Sequence, residues 1–439
     1  MGVEAHQPLL ESLNVDVERH AKMMGMGLDA YRNLFMSQPN RPKAMDYFDW
    51  FMSEIQGDRI AEINALRAKK KPAVGTFCIF VPEEIVTGAG GACYGLCGGS
   101  AATIADAETE LPRNICPLIK SAHGFKLQRT CAYTQSSDFI YGETTCEAKK
   151  KTWEILAKHH PVHVMNIPHM KREKDLKMWQ EEIKEFKEHI EEVTGEPLSL
   201  EAMKEGTRII NEKRAALLRL DTLRGMNPEK LPISGKDALF VTQMGFLDDP
   251  VRYTQKVNAL CDELEERIAN DINVFDKKTP RLIVLGTPFA PPNWKLHHAV
   301  ETTGGTIINE ESCIGHRYFK DNVDLENVTT EEELYGRLME RYSKIDCACF
   351  TPNTARVDKI VQMYKDRKAD GVIYYTLSFC HTYNVESKLV LDAMEKEGIP
   401  CLLIESDYSP EDAGQIKTRV EAFLESISFK NKAMAFKGL

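Results

Sequence analysis

Polar positions dominate the first 70 residues, and the segment reads as helical, with aromatic side chains at Tyr31, Phe35, Tyr47, Phe48, Trp50 and Phe51. The stretch 60–71 ends in the basic run Lys69-Lys70-Lys71, and Pro72 then stops it as a helix. Beyond Pro72 the pattern changes to short β-rich runs alternating with helical ones. Residues 72–80 predict a buried strand, and Pro82-Glu83-Glu84 opens a helix, with Pro in its first position and acids facing the positive end of the dipole. The glycine-rich segment 88–99 reads as strand-like, and further strands are expected at 138–142 and 162–167.

Between about 170 and 275 the period becomes helical. Leu176, Trp179, Ile183, Phe186, Ile190 and Val193 recur at spacings of 3, 4, 3, 4 and 3 amid Lys and Glu, which is one buried stripe on an otherwise solvated helix. Gly195-Glu196-Pro197 breaks that helix and Asn227-Pro228 breaks the next. A second α/β block begins near Lys278, with strands predicted at 281–286, 306–309, 345–350, 371–379 and 401–405 and a helix at 294–302. Strands alternating with helices imply parallel sheets with right-handed crossovers. The expected fold class is therefore α/β in two lobes. It divides into an N-terminal helical segment 1–70, a first lobe 71–170, a helical linker region 171–277 and a second lobe 278–439.

The chain has 439 residues, enough for two or three domains at roughly 150 residues each. A net charge of −10 disfavours an electrostatic grip on nucleic acid or anionic lipid. No apolar run approaches the ~20 residues of a membrane helix. The start, Met1 to His6, lacks the regions of a signal peptide, and His6 breaks the myristoylation pattern, so a cytoplasmic protein is expected.

Cysteine changes the picture. There are 12, at positions 78, 93, 97, 116, 131, 146, 261, 313, 347, 349, 380 and 401, and no two form Cys-x-x-Cys. Zinc ribbons and fingers, thioredoxin-like pairs and ferredoxin runs are unsupported, so any metal site has to be assembled by the fold. Cys78, Cys97, Cys146, Cys313 and Cys380 fall at or just past the ends of expected strands. Cys347 and Cys349 lie on the expected strand 345–350, while Cys116 and Cys131 lie in intervening turns. Carboxyl ends of parallel strands are where α/β proteins bind ligands. Two lobes facing across a cleft would bring thiols from both edges together, whereas Cys261 and Cys401 read as buried apolar filler. Thiolates without His at matched spacing favour an iron–sulfur group over zinc.

Other signals are weaker. The run 88–93 breaks the dinucleotide fingerprint at its third glycine, and no Walker-type Gly-Lys-Ser/Thr occurs. His159, His160, His163 and His169 read as solvated helix-end side chains rather than ligands, and Lys149 to Lys151 as a solvated or partner-docking basic patch. Arg317 is read either as a holder of a carboxylate or phosphate or as half of a surface ion pair.

Five segments together carry a resemblance. They are Leu111-Pro112-Arg113-Asn114-Ile115-Cys116-Pro117, Gly142-Glu143-Thr144-Thr145-Cys146, Glu311-Ser312-Cys313-Ile314-Gly315-His316-Arg317, Phe379-Cys380-His381-Thr382-Tyr383 and Ile404-Glu405-Ser406-Asp407-Tyr408. In this order they resemble the 2-hydroxyacyl-CoA dehydratase/benzoyl-CoA reductase superfamily, from about residue 71 to the C-terminus. The resemblance implies two Rossmann- or flavodoxin-like lobes with an iron–sulfur cluster between them. It also implies an ATP-hydrolysing iron–sulfur activator as electron donor. Dehydratases of the superfamily hold one [4Fe–4S] cube on three cysteines, which map to Cys116, Cys146 and Cys380. The additional thiols resemble those of the homodimeric double-cubane branch, in which two cubes share one sulfide and six thiolates are needed. The second trio is then expected to be Cys131, Cys313 and Cys349, with Cys78 and Cys97 in reserve. Glu147-Ala148 departs from the Asp-Gly of the motif, and no CoA site is evident. The expected function is an iron–sulfur reductase of a small molecule; the alternatives are a single-cubane dehydratase or reductase subunit and a non-catalytic electron carrier or scaffold.

Overall fold

Eight short strands alternate with helices, and a computed structural model, describing residues 2–437, sorts them into two separate parallel sheets. The first contains β1 (Ala73–Thr76), β2 (Ala92–Gly95), β3 (Phe139–Glu143) and β4 (Val162–Met165) in the order β2-β1-β3-β4. The second contains β5 (Arg281–Gly286), β6 (Thr306–Glu311), β7 (Gly371–Leu377) and β8 (Cys401–Ser406) in the order β6-β5-β7-β8. Both have one topology: the first strand is flanked by the second and third, with the fourth outside the third. That is the flavodoxin-like doubly wound order, whose ligand crevice lies beyond the carboxyl ends of the first and third strands, where the winding reverses. The fold class is α/β, as the alternation of elements implies.

β1, β3, β5, β6 and β7 are buried along their full length, although Glu143, Arg281, Asn309, Glu310 and Glu311 interrupt the apolar pattern of β3, β5 and β6. β4 and β8 are edge strands with partly exposed faces, so Cys401 is half-buried on an edge rather than inside a strand buried on both faces. In place of the strand expected at 345–350, the chain makes a loop after the Glu331–Ser343 helix, closed by a turn from Phe350 N to Cys347 O at 3.1 Å. Burial of a loop writes the same apolar pattern there as a strand would. Pro82 is the cap of the Glu83–Gly88 helix and not its first residue.

The stripe of the Glu173–Thr194 helix packs inward as its period predicts, with Trp179, Ile183, Phe186 and Ile190 buried and Gly195 ending the helix at φ +72°. The next helix, Leu200–Gly225, reaches both sheets. It crosses Glu83–Gly88 so closely that a Cβ on Gly206 would stand 2.2 Å from the Glu84 carbonyl oxygen. Buried ion pairs fasten it to each side: Arg214 to Glu84 at 2.7 Å and Lys213 to Glu83 at 2.9 Å, then Arg224 to Glu310 on β6. The N-terminal helices contact both halves of the chain: Tyr31 and Phe35 pack against Phe240 and Trp294, and Tyr133 donates its hydroxyl to the Ile55 carbonyl at 2.7 Å. Arg41 lies between Asp49 at 2.9 Å and Asp237 at 2.8 Å.

Candidate metal centre

The carboxyl edges of both sheets open onto one cavity of about 280 Å³. Eight of the twelve cysteines line it: Cys78, Cys97, Cys116, Cys146, Cys313, Cys347, Cys349 and Cys380. The rest of the wall is mainly apolar, including Leu118, Ile119, Phe246, Ile314 and Leu377.

Three of these thiols cap helices. Cys116 precedes Pro117–Gln128, Cys146 precedes Glu147–Leu156 and Cys380 precedes His381–Lys396. The Cys146 sulfur accepts from the Lys149 amide at 3.5 Å, and the first-turn amides of Leu118 and Ile119 near Cys116 and of Tyr383 near Cys380 favour the thiolate forms there. The positive ends of three helix dipoles and their free N–H groups therefore favour negative sulfur at this wall. Cys116 and Cys380 lie near each other, and their mutual interaction lowers the Cys116 pKa and raises that of Cys380. Cys380 reaches the wall because Phe379 before it takes a left-handed turn at φ +61°.

The second wall is a chain of contacts. Cys347 meets both Cys313 and Cys349, and Cys313 also meets Cys78. Interaction with the neighbouring thiols of Cys313 and Cys349, aided by Arg317, holds Cys347 well below the usual thiol range, while Cys313 and Cys349 are raised. Burial pushes Cys97 up to about 12; its thiol donates to the Phe77 carbonyl at 2.9 Å.

Among the described residues no three of these sulfurs lie within 4.8 Å of one another. A single zinc ion with 2.3 Å bonds would draw its thiolates to about 3.8 Å, so this spacing suits a larger multi-metal group. The donor set, all thiol in a mostly apolar enclosure, fits an iron–sulfur cluster.

Buried cations face the sulfurs. Lys149 places Nζ 3.3 Å from the Phe77 carbonyl; burial opposes its charge, but Cys78, Glu143 and Cys97 outweigh that and raise its pKa. Glu143 accepts from the Cys78 amide at 3.1 Å and is raised to about 6 by burial. Arg317 is 1% exposed, so it is not half of a surface pair. It donates to Gly286 O at 2.7 Å, to Glu311 O at 3.1 Å and to the Tyr383 hydroxyl.

Cys116, Cys146 and Cys380 thus come together, as do Cys313 and Cys349, and Cys78 and Cys97 line the same cavity. Cys131 does not line it. Cys116 starts the Pro117–Gln128 helix at the cavity, and Cys131 comes after its far end, about 18 Å away along twelve residues. Its thiol lies instead beside Thr134 and Lys126, and Cys347 stands in the cavity in place of the expected Cys131. Lys149 and Tyr383 also belong to the site, although the sequence pattern does not single them out as site residues. Their only local signal is position, each three residues past a capping cysteine.

The profile of the 2-hydroxyglutaryl-CoA dehydratase D-component family matches residues 78–427. An Escherichia coli (strain K12) protein named "Putative dehydratase subunit YjiM" is 34% identical over 383 residues, covering 87% of this chain and 97% of that protein. The (R)-phenyllactyl-CoA dehydratase beta subunit of Clostridium sporogenes is 22% identical over 389 residues, 87% of this chain and 98% of its own. The (R)-2-hydroxyglutaryl-CoA dehydratase beta subunit of Acidaminococcus fermentans is 24% identical over 374 residues, 82% and 94% respectively. With the profile spanning most of the sequence and relatives aligned nearly end to end, the chain belongs to the 2-hydroxyglutaryl-CoA dehydratase D-component family of the 2-hydroxyacyl-CoA dehydratase superfamily.

Proposed function

We propose that this chain is the cluster-bearing subunit of a reductase, holding two sulfide-bridged [4Fe–4S] cubanes in the cavity between its sheets. Cys116, Cys146 and Cys380 hold one cube and Cys313, Cys347 and Cys349 the other, with Cys78 and Cys97 beside them. The observation that carries the reading is the convergence of eight thiols from both sheet edges on one enclosure. When bound, such a group stores electrons at low potential. Low-potential electrons come from an ATP-hydrolysing iron–sulfur activator, two copies of the chain form a homodimer, and the substrate is a small molecule.

The chain's own residues shape that chemistry. Three helix N-termini and the cations Lys149 and Arg317 offset the negative charge of thiolates and added electrons. Apolar side chains such as Leu118, Ile119 and Leu377 keep water from the sulfurs.

The dehydratase names of the relatives favour a second reading, a single cube on Cys116, Cys146 and Cys380 in an acyl-CoA dehydratase subunit. Iron and acid-labile sulfide in anaerobically purified protein separate the two. About eight irons per chain supports the bridged pair and about four the single cube. Protein free of iron after anaerobic reconstitution overturns both.

A further inference from the structure

Outside the thiol cavity, one carboxylate gathers two imidazoles. Glu110, in the turn after the Ile104–Ala107 helix, receives His123 Nε2 on Oε2 at 2.9 Å and His159 Nε2 on both oxygens at 3.0 Å. His123 comes from the middle of Pro117–Gln128 and its side chain is fully buried, while His159 lies just past the end of Glu147–Leu156 and is about a third exposed. All three ligand atoms fall within 4.8 Å of one another. Burial lowers the His123 pKa, and hydrogen bonds from the two imidazoles hold Glu110 low against the opposing effect of burial.

We infer that Glu110, His123 and His159 form a binding site for a divalent transition-metal ion of the zinc class. The donor types suit it, because two imidazole nitrogens and one carboxylate with a water in fourth place is a common zinc arrangement. The spacing suits it too. Metal bonds of about 2.1 Å in a tetrahedron set donors about 3.4 Å apart, so each nitrogen–oxygen pair need open by only roughly 0.4 Å. Partial exposure of Glu110 and His159 leaves a side open for entry and for the water. An ion there would tie the middle of the helix capped by Cys116 to the far end of the helix capped by Cys146.

The test uses the full chain, purified anaerobically with whatever iron it carries. Zn²⁺ binding is measured by calorimetry and Co²⁺ binding by absorption, for the wild type and for Glu110→Gln and His159→Gln, whose side chains reach solvent. One equivalent of Zn²⁺ is expected to be lost, or weakened at least tenfold, in both variants, with helical content and iron content unchanged. The Co²⁺ difference spectrum between wild type and variant should show ligand-field bands without thiolate charge transfer. Identical binding in wild type and variants, or a difference spectrum dominated by thiolate, overturns the site. The comparison isolates this site whether or not the thiol cavity holds iron, so failure here and failure of the cluster reading are separate results.

Discussion

The hydroxyl of Tyr383 lies 3.5 Å from Sγ of Cys347, within hydrogen-bond distance of it, and accepts a hydrogen bond from Arg317. The guanidinium groups of Arg317 and Arg356 each sit 5.5 Å from its ring centre, and Glu311 pairs with both arginines, at 3.1 and 2.7 Å. A hydrogen bond to a ligating sulfur stabilises the more negative, reduced state. Tyr383→Phe is therefore expected to retain its iron and to become harder to reduce. A tenfold change in the equilibrium corresponds to about 59 mV for one electron. An anaerobic redox titration checks this, and an unchanged midpoint with full iron would show that the hydroxyl does not act on the sulfur.

Cys347→Ala and Cys131→Ala should behave oppositely. The first removes the sulfur that touches two neighbours, and about half the iron or more is expected to go; the second lies off the cavity and should cost none. Iron per chain after anaerobic purification is the measurement. Iron loss in the Cys131 variant alone would reverse the assignment.

Lys149→Met removes the buried cation opposite Glu143 and the thiols. Leaving a buried charge without its partner costs about 3 kcal/mol, read as a lower urea midpoint at pH 7. Glu143, already raised to about 6, takes up a proton as the pH falls, so the loss should shrink by pH 5. A deficit equal at both pH values would show that Glu143 is not the group left uncompensated.

Glu301 is half-buried, accepting from the Gly235 and Lys236 amides at 2.6 and 3.3 Å, and its other oxygen is buried with no partner. Burial raises its pKa to about 8. An acid raised on folding binds its proton more tightly in the native state, so its stabilising contribution holds below about 4.5 and is lost as pH rises to 8. Glu301→Gln should accordingly raise stability relative to wild type at pH 9, by about 1–3 kcal/mol, and change little at pH 5. Denaturant unfolding at the two pH values checks the sign.

Much of this architecture is legible in the sequence because its signals are local. Full burial writes a nearly continuous apolar run in β7 and in most of β5, and parallel pairing gathers the residues just past each strand at one edge, which is why Cys78, Cys146, Cys313 and Cys380 can be placed together. The features that escape it depend on distance in space. Cys116 and Cys131 both look like turn cysteines, and only the length of the helix between them separates a cavity residue from a bystander. Lys149 opens a run of three lysines, of which Lys150 and Lys151 pair with Glu147 and Glu154 on the solvent side; helical rotation alone carries the first inward. Tyr383 and Arg317 are 66 residues apart, and nothing along the chain announces that they meet.

The Leu200–Gly225 helix has one more implication. Its glycine-tight crossing over Glu83–Gly88 and its buried charges on both sides tie the two sulfur-bearing edges to one spine. On the proposed function, sulfurs carried on such a frame would shift little when the electron count beside them changes, which would lower the reorganisation energy of transfer.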